Sequence, residues 1–331
     1  MRKTIIIVLQ SAVTLVLLVW IFGNESLRSQ LGMLIGRADM GWVGFGLLVA
    51  GVGNFLGGIR WWIYLRALGM PLPLWRTMEL YFIGVLFNSV MPGMVGGDIV
   101  KIGYLIAEGY RKTAALMSVM LDRLSGLAAL GFAVIIYPAL RWHWFHEDLY
   151  VAGIMWFSLI AIGIMFLVVI LSLVATQRGI SRTLPQWLPF REGLDGMMRA
   201  YYVFISHRKA TVIASLISVV MLLLYFLTFY AAARSVGVDM GFWDFSSIMP
   251  MVDVLVSAPI SLGGLGIREK VFEKLMDALW GVASGKAIMI SIGGWFFMNA
   301  WGLFGLALLP FYRGLLKKEG KIASRASVKE S

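Results

Sequence analysis

Two stretches of this sequence place a cation at a fixed distance beyond a helix-breaking turn. The first reads Pro92-x3-Gly96-Gly97-x3-Lys101 and the second Pro259-x3-Gly263-Gly264-x3-Arg268, at an offset of 259 − 92 = 167. Pro removes a backbone donor and paired Gly frees the chain to turn, so each stretch predicts a broken helix. A half-helix that restarts after such a break has free amides at its start. With Lys101 or Arg268 one turn further on, amides and cation together suit a phosphate. The plainer reading of each cation is a side chain that snorkels to a membrane surface. Asp98 follows the first Gly pair, where a carboxylate either caps the helix or meets a ligand.

Asp122 and Arg123 lie about nine residues into an apolar run, about 14 Å deep at 1.5 Å per residue. Ionisable groups at that depth cost on the order of 3 kcal/mol unless they find a partner or water. Adjacent residues do not face each other on a helix, so at least one of the pair reaches elsewhere. The pair reads either as a structural ion pair or as part of a site. Ser118, Asp122 and Gly126 share a face suited to close packing against a broken segment. Arg60 lies roughly two turns from the end of its own run and either snorkels or joins that site. Asp253 has no charged counterpart in the first half, since 253 − 167 = 86 is Leu86. His143-x2-His146-Glu147 lacks a third or fourth convincing ligand, so no metal is expected. The sequence has no Walker A motif, no Asp-x-Asp pair and no credible catalytic triad. Neither a cofactor nor an enzymatic reaction is expected.

The elements that position these residues are membrane helices. Of 331 residues, 60% are hydrophobic and 14% charged, against about a quarter charged in soluble domains. Apolar runs of about 20 residues match a hydrocarbon core roughly 30 Å thick. Thirteen Trp and eleven Tyr suit the aromatic belts at its two surfaces. Without cysteine there is neither a disulfide nor a thiolate metal site. The net charge of +11 reads as basic loops that orient the chain rather than as a nucleic-acid surface.

Six full spans are expected near 4–22, 41–65, 113–138, 151–175, 210–234 and 284–311. The first follows Met1-Arg2-Lys3 and reads as a retained span, since Gly23-Asn24-Glu25-Ser26 offers no cleavage site. The two broken stretches, about 78–99 and 245–267, read as re-entrant hairpins. Basic residues then collect on one side, which makes both termini cytoplasmic. Residues 190–206 read as an interfacial amphipathic helix or as a solvated connector, and 316–331 as a polar tail.

The repeat extends beyond the broken stretches. Gly69-x5-Trp75 matches Gly237-x5-Trp243 at an offset of 168, and the spans at 41–65 and 113–138 map close to later ones. Residues 1–140 and 141–315 thus form two halves of one all-α membrane domain. Three spans per half is an odd number, so the second half is inverted. Inverted repeats with broken helices characterise transporters.

In combination these motifs resemble a known family. Asn88-x3-Pro92-x3-Gly96-Gly97-Asp98, then Asp122-Arg123-x2-Gly126, then Pro259-x-Ser261-Leu262-Gly263-Gly264-Leu265-Gly266-Ile267-Arg268-Glu269 look like the lysylphosphatidylglycerol synthase transmembrane-region family. Arg60-Trp61 fits as well. That family is related to the membrane domain of the multiple peptide resistance factor, which moves aminoacylated phosphatidylglycerol between leaflets. Other relatives accompany hopanoid or polyprenyl-linked glycan pathways. The chain has no room for a soluble transferase domain, so the resemblance implies the flippase part alone. It implies an anionic or polyprenyl-phosphate lipid as substrate and a bacterial cytoplasmic or archaeal plasma membrane as location. Arg60, Lys101 and Arg268 would hold the headgroup. Asp122, Asp253 and Glu269 would serve proton coupling or a cationic headgroup. The alternatives are a non-catalytic partner of a separate lipid or glycan synthase, and a lipid-modifying membrane enzyme.

Overall fold

The computed structural model describes residues 36–90, 96–144, 148–177, 206–257 and 266–308. The expected first span, Pro92, Pro259, Gly263, Gly264, nearly all of the expected 190–206 helix and the tail lie outside these residues. The described residues form nine α-helices and no strand. They are α1 (Met40–Ala67), α2 (Leu74–Val90), α3 (Gly96–Ala107), α4 (Lys112–Leu140) and α5 (Leu149–Gln177). After these come α6 (Arg208–Ser235), α7 (Phe242–Ser257), α8 (Ile267–Trp280) and α9 (Ser284–Ala300).

Five stretches are long and apolar enough to cross a membrane: Met40–Ala67, Lys112–Leu140, Leu149–Leu171, Arg208–Ser235 and Ser284–Leu308. They coincide with five of the six spans expected from sequence. Their outward faces carry Phe132, Ile135, Ile160, Ile164 and Leu167, all exposed, as lipid-facing surfaces require. The remaining four helices are short and come as two pairs, each pair flanking the undescribed residues that hold its Pro/Gly run.

Helices α1 and α6 form the spine. The Asp39 amide donates to the Ser235 carbonyl at 2.9 Å, and the Asp39 carboxylate caps α1 through the Gly41 amide at 2.8 Å. Midway along, a Cβ on Gly46 would come within 3.2 Å of the Ala231 side chain. Further on, Arg60 Nη1 donates to Ser218 Oγ at 2.9 Å. At the far end the His207 ring contacts the Ala67 carbonyl. Numbers rise along one helix as they fall along the other, so the two pack antiparallel over their full length. Both have 28 residues, and 40 + 168 = 208 aligns their starts. Each is followed by a left-handed glycine, Gly69 (φ 74°) and Gly237 (φ 69°), that turns the chain into a short helix.

Each broken pair starts and finishes at one end of this spine. Arg76 near the start of α2 pairs with Glu108 just past α3 at 3.1 Å, beside the Ala67 end of α1. At the other end Arg141 pairs with Asp244 at the start of α7. There Trp144 packs on Trp280 at the close of α8, with ring centroids 5.8 Å apart. Charge divides between the ends. The first carries Arg66, Arg76, Arg111, Lys112, Arg208 and Lys209 against Glu79 and Glu108. The second, among the described residues, carries Arg37, Arg141, Arg234, Lys270, Lys274 and Lys286 against Asp39, Asp148, Asp239, Asp244, Glu273 and Asp277.

Candidate functional site

The polar residues buried at mid-depth gather into two clusters on either side of the spine. The first begins at Arg60, 8% exposed on α1. Its Nε donates to Asp122 Oδ1 at 2.8 Å, and through Ser218 it also ties α1 to α6. Snorkelling is therefore ruled out for Arg60. Adjacent residues on α4 part as their helical geometry requires: Asp122 takes Arg60, and Arg123 Nε donates to Asp98 Oδ2 at 2.7 Å. Lys101, 5% exposed, approaches the other Asp98 oxygen at 3.9 Å. Its ammonium lies 4.5 Å from the Tyr81 ring centre and 5.1 Å from that of Trp61. Among the described residues three cations, of which Arg123 is half-exposed, face two carboxylates.

Two sequence expectations change here. The Ser118–Asp122–Gly126 face of α4 packs on α1, not on a broken pair. Trp61 Nε1 donates to Ser118 Oγ at 3.2 Å, and Gly126 leaves room for the Arg60 guanidinium. The start of α3 is satisfied from outside its own helix, because Asn88 on α2 accepts from the Gly97 amide at 2.8 Å. Asp98 is thereby left for Arg123 and Lys101. A Cβ on Gly97 would collide with the Gly84 backbone carbonyl, so α2 and α3 approach as closely as backbone allows. Gly96 is buried at the same start.

The second cluster lies on α6, α7 and α8. Tyr225 OH donates to Asp253 Oδ1 at 2.7 Å. Arg268, 3% exposed, stands within electrostatic reach of both, its guanidinium carbon 5.9 Å from the Phe229 ring centre. Its Nε and Nη1 have no hydrogen-bond partner among the described residues. A buried guanidinium with unmade bonds is costly and calls for an anion. Glu269 closes back onto the Gly266 amide and accepts from Ser291 Oγ at 3.0 Å, which makes it a cap of α8. The two cations equivalent in sequence are both buried, and neither reaches the surface.

Between the clusters, where α1 and α6 cross mid-span, is a cavity of about 200 Å³. Arg60, Tyr81, Gly126 and Ser218 line it on one side, Tyr225 and Thr228 on the other, with Asn54 and Met298 between. Sequence reading missed Ser218, Tyr225 and Thr228. Their signal was faint: Ser218 and Tyr225 stand seven residues apart, hence on one face of an otherwise apolar span. No group of metal-ligating side chains exists among the described residues.

The family model described as the lysylphosphatidylglycerol synthase TM region matches residues 7–307. The chain belongs to this family. A comparison with curated proteins gives no significant match. As a member of the lysylphosphatidylglycerol synthase TM region family it is a lipid-related integral membrane protein. The resemblance seen in the Asn88–Asp98, Asp122–Gly126 and Pro259–Glu269 motifs thus holds across nearly all of the sequence.

Proposed function

We propose that this chain carries a phosphate-bearing lipid across the bilayer, as a flippase or scramblase with no catalytic role of its own. The observation behind the proposal is the mid-span cavity between α1 and α6, flanked by buried charge from both halves of the chain. On this reading residues 1–140 and 141–315 are inverted repeats. The pairs α2/α3 and α7/α8 are hairpins that re-enter the membrane from opposite faces. Support comes from the antiparallel packing of the equal-length α1 and α6, and from the opposite ends at which the two pairs begin and finish. The six-to-two basic excess among the described residues at the α1 C-terminal end supports placing that end in the cytoplasm. Both termini then lie there, in a bacterial cytoplasmic or archaeal plasma membrane.

In this mechanism the headgroup phosphate meets Arg60 and Lys101 in one open state and Arg268 in the other. The acyl or polyprenyl chains stay in lipid throughout. Asp253 and Asp122 serve a proton or a cationic group on a modified phospholipid. Purified chain in liposomes should exchange labelled phospholipid or polyprenyl phosphate between leaflets faster than protein-free vesicles. The family's description includes the word synthase, so a second reading keeps the chain as a non-catalytic partner of a separate synthase. Absence of exchange across a lipid panel, with and without a proton gradient, favours that one.

A further inference from the structure

At the basic end of the spine, an open groove of about 640 Å³ lies between the close of α1 and the start of α6. Trp62, Ile63, Ala210 and Ile213 contribute apolar walls, and Arg66, Arg208 and Lys209 contribute charge. The Trp62 ring is fixed by its Nε1, which donates to the Leu72 carbonyl at 3.0 Å. The Arg66 guanidinium carbon lies 4.7 Å above that ring. The His207 ring, bonded to the Ala67 carbonyl, pins the two helices together at the same place.

Among the described residues no carboxylate lines this groove, and Arg66, Arg208 and Lys209 form no ion pair. The contrast is Arg76 at the same end, which Glu79 and Glu108 hold at 3.1 Å each. Three cations with no carboxylate partner among the described residues, around an apolar floor at the end of two membrane spans, match one kind of occupant. A water-soluble anion would use the charge and leave the indole and isoleucines unmatched. A neutral lipid would do the reverse.

We propose that this groove is a resident site for an anionic phospholipid, whose phosphate meets Arg66, Arg208 and Lys209 and whose upper acyl chain covers Trp62 and Ile213. The site is separate from the mid-span cavity, and its occupancy does not depend on transport. It provides a charged anchor at the membrane surface on the seam between α1 and α6, the two helices that form the cavity.

The test is native mass spectrometry of the full chain purified in detergent and offered equal phosphatidylglycerol and phosphatidylcholine. A basic residue near an anionic headgroup contributes roughly fivefold in affinity, so three contribute on the order of 100-fold. The triple variant Arg66→Ala/Arg208→Ala/Lys209→Ala should lose phosphatidylglycerol by about that factor. The double variant Arg111→Ala/Lys112→Ala, at the same end but outside the groove, should retain it. Unchanged retention in the triple variant overturns the proposal, as does equal loss in the double. Loss in Arg268→Ala alone would place the lipid in the central cavity instead. Full displacement by inorganic phosphate at matching concentration would show an ion site rather than a lipid site. Leaflet exchange is not read at any step, so this proposal and the transport reading can fail independently.

Discussion

At the residue scale, the two clusters use charge differently. Arg60 and Asp122 satisfy one another inside the bundle, so removing either leaves its partner buried and unpaired. We expect Arg60→Ala or Asp122→Ala to destabilise the protein by about 3–5 kcal/mol. The double variant should cost less than the sum of the two, because it removes both charges together. Thermal unfolding in detergent, run as a double-mutant cycle, reads this directly; strict additivity would mean that the pair is not coupled. Arg268 has the opposite profile. Its Nε and Nη1 bond nothing among the described residues, so Arg268→Ala should leave stability unchanged or raised while lowering leaflet exchange at least tenfold. A variant that unfolds instead would make Arg268 a structural residue.

At the element scale, the start of α3 depends on backbone contact. Gly97 abuts the Gly84 carbonyl, and Asn88 caps its amide. Gly97→Leu should therefore force α2 and α3 apart and abolish exchange, yet leave membrane insertion intact, since the apolar spans are untouched. Full exchange in this variant would make the close approach incidental. Five spans were legible in the sequence, because runs of apolar residues are a local signal, whereas the two expected helix breaks lie outside the described residues. The matched spacing of Lys101 and Arg268 was legible, but the burial of both was not, because it depends on the helices packed around them. The partners of Asp122 were illegible for a different reason. Arg60 is 62 residues away, and nothing in one sequence ties α4 to α1 over α2 and α3. The polar lining of the cavity was hidden likewise, because Ser218 acquires meaning only when α6 lies antiparallel to α1.

At the scale of the whole molecule, the account needs the two halves to face opposite sides of the membrane. Gly69 and Gly237 mark equivalent turns, but their left-handed φ makes them poor sites for a side chain. The exposed neighbours Pro71 and Asp239 are separated by the same offset, 239 − 71 = 168. In this cysteine-free chain, Pro71→Cys should resist an impermeant thiol reagent added outside intact cells, and Asp239→Cys should react. Equal labelling would contradict inversion.

Transport itself is the central claim, and leaflet exchange in liposomes tests it most directly. Vesicles holding only the purified chain should exchange labelled anionic phospholipid or polyprenyl phosphate well above the protein-free rate. Vesicles holding Gly97→Leu at equal density should fall back to that baseline, which separates transport from leakage around any inserted protein. Exchange at the protein-free rate for every lipid tried, with or without a proton gradient, would contradict the account, as would equal exchange by the wild type and the Gly97→Leu variant.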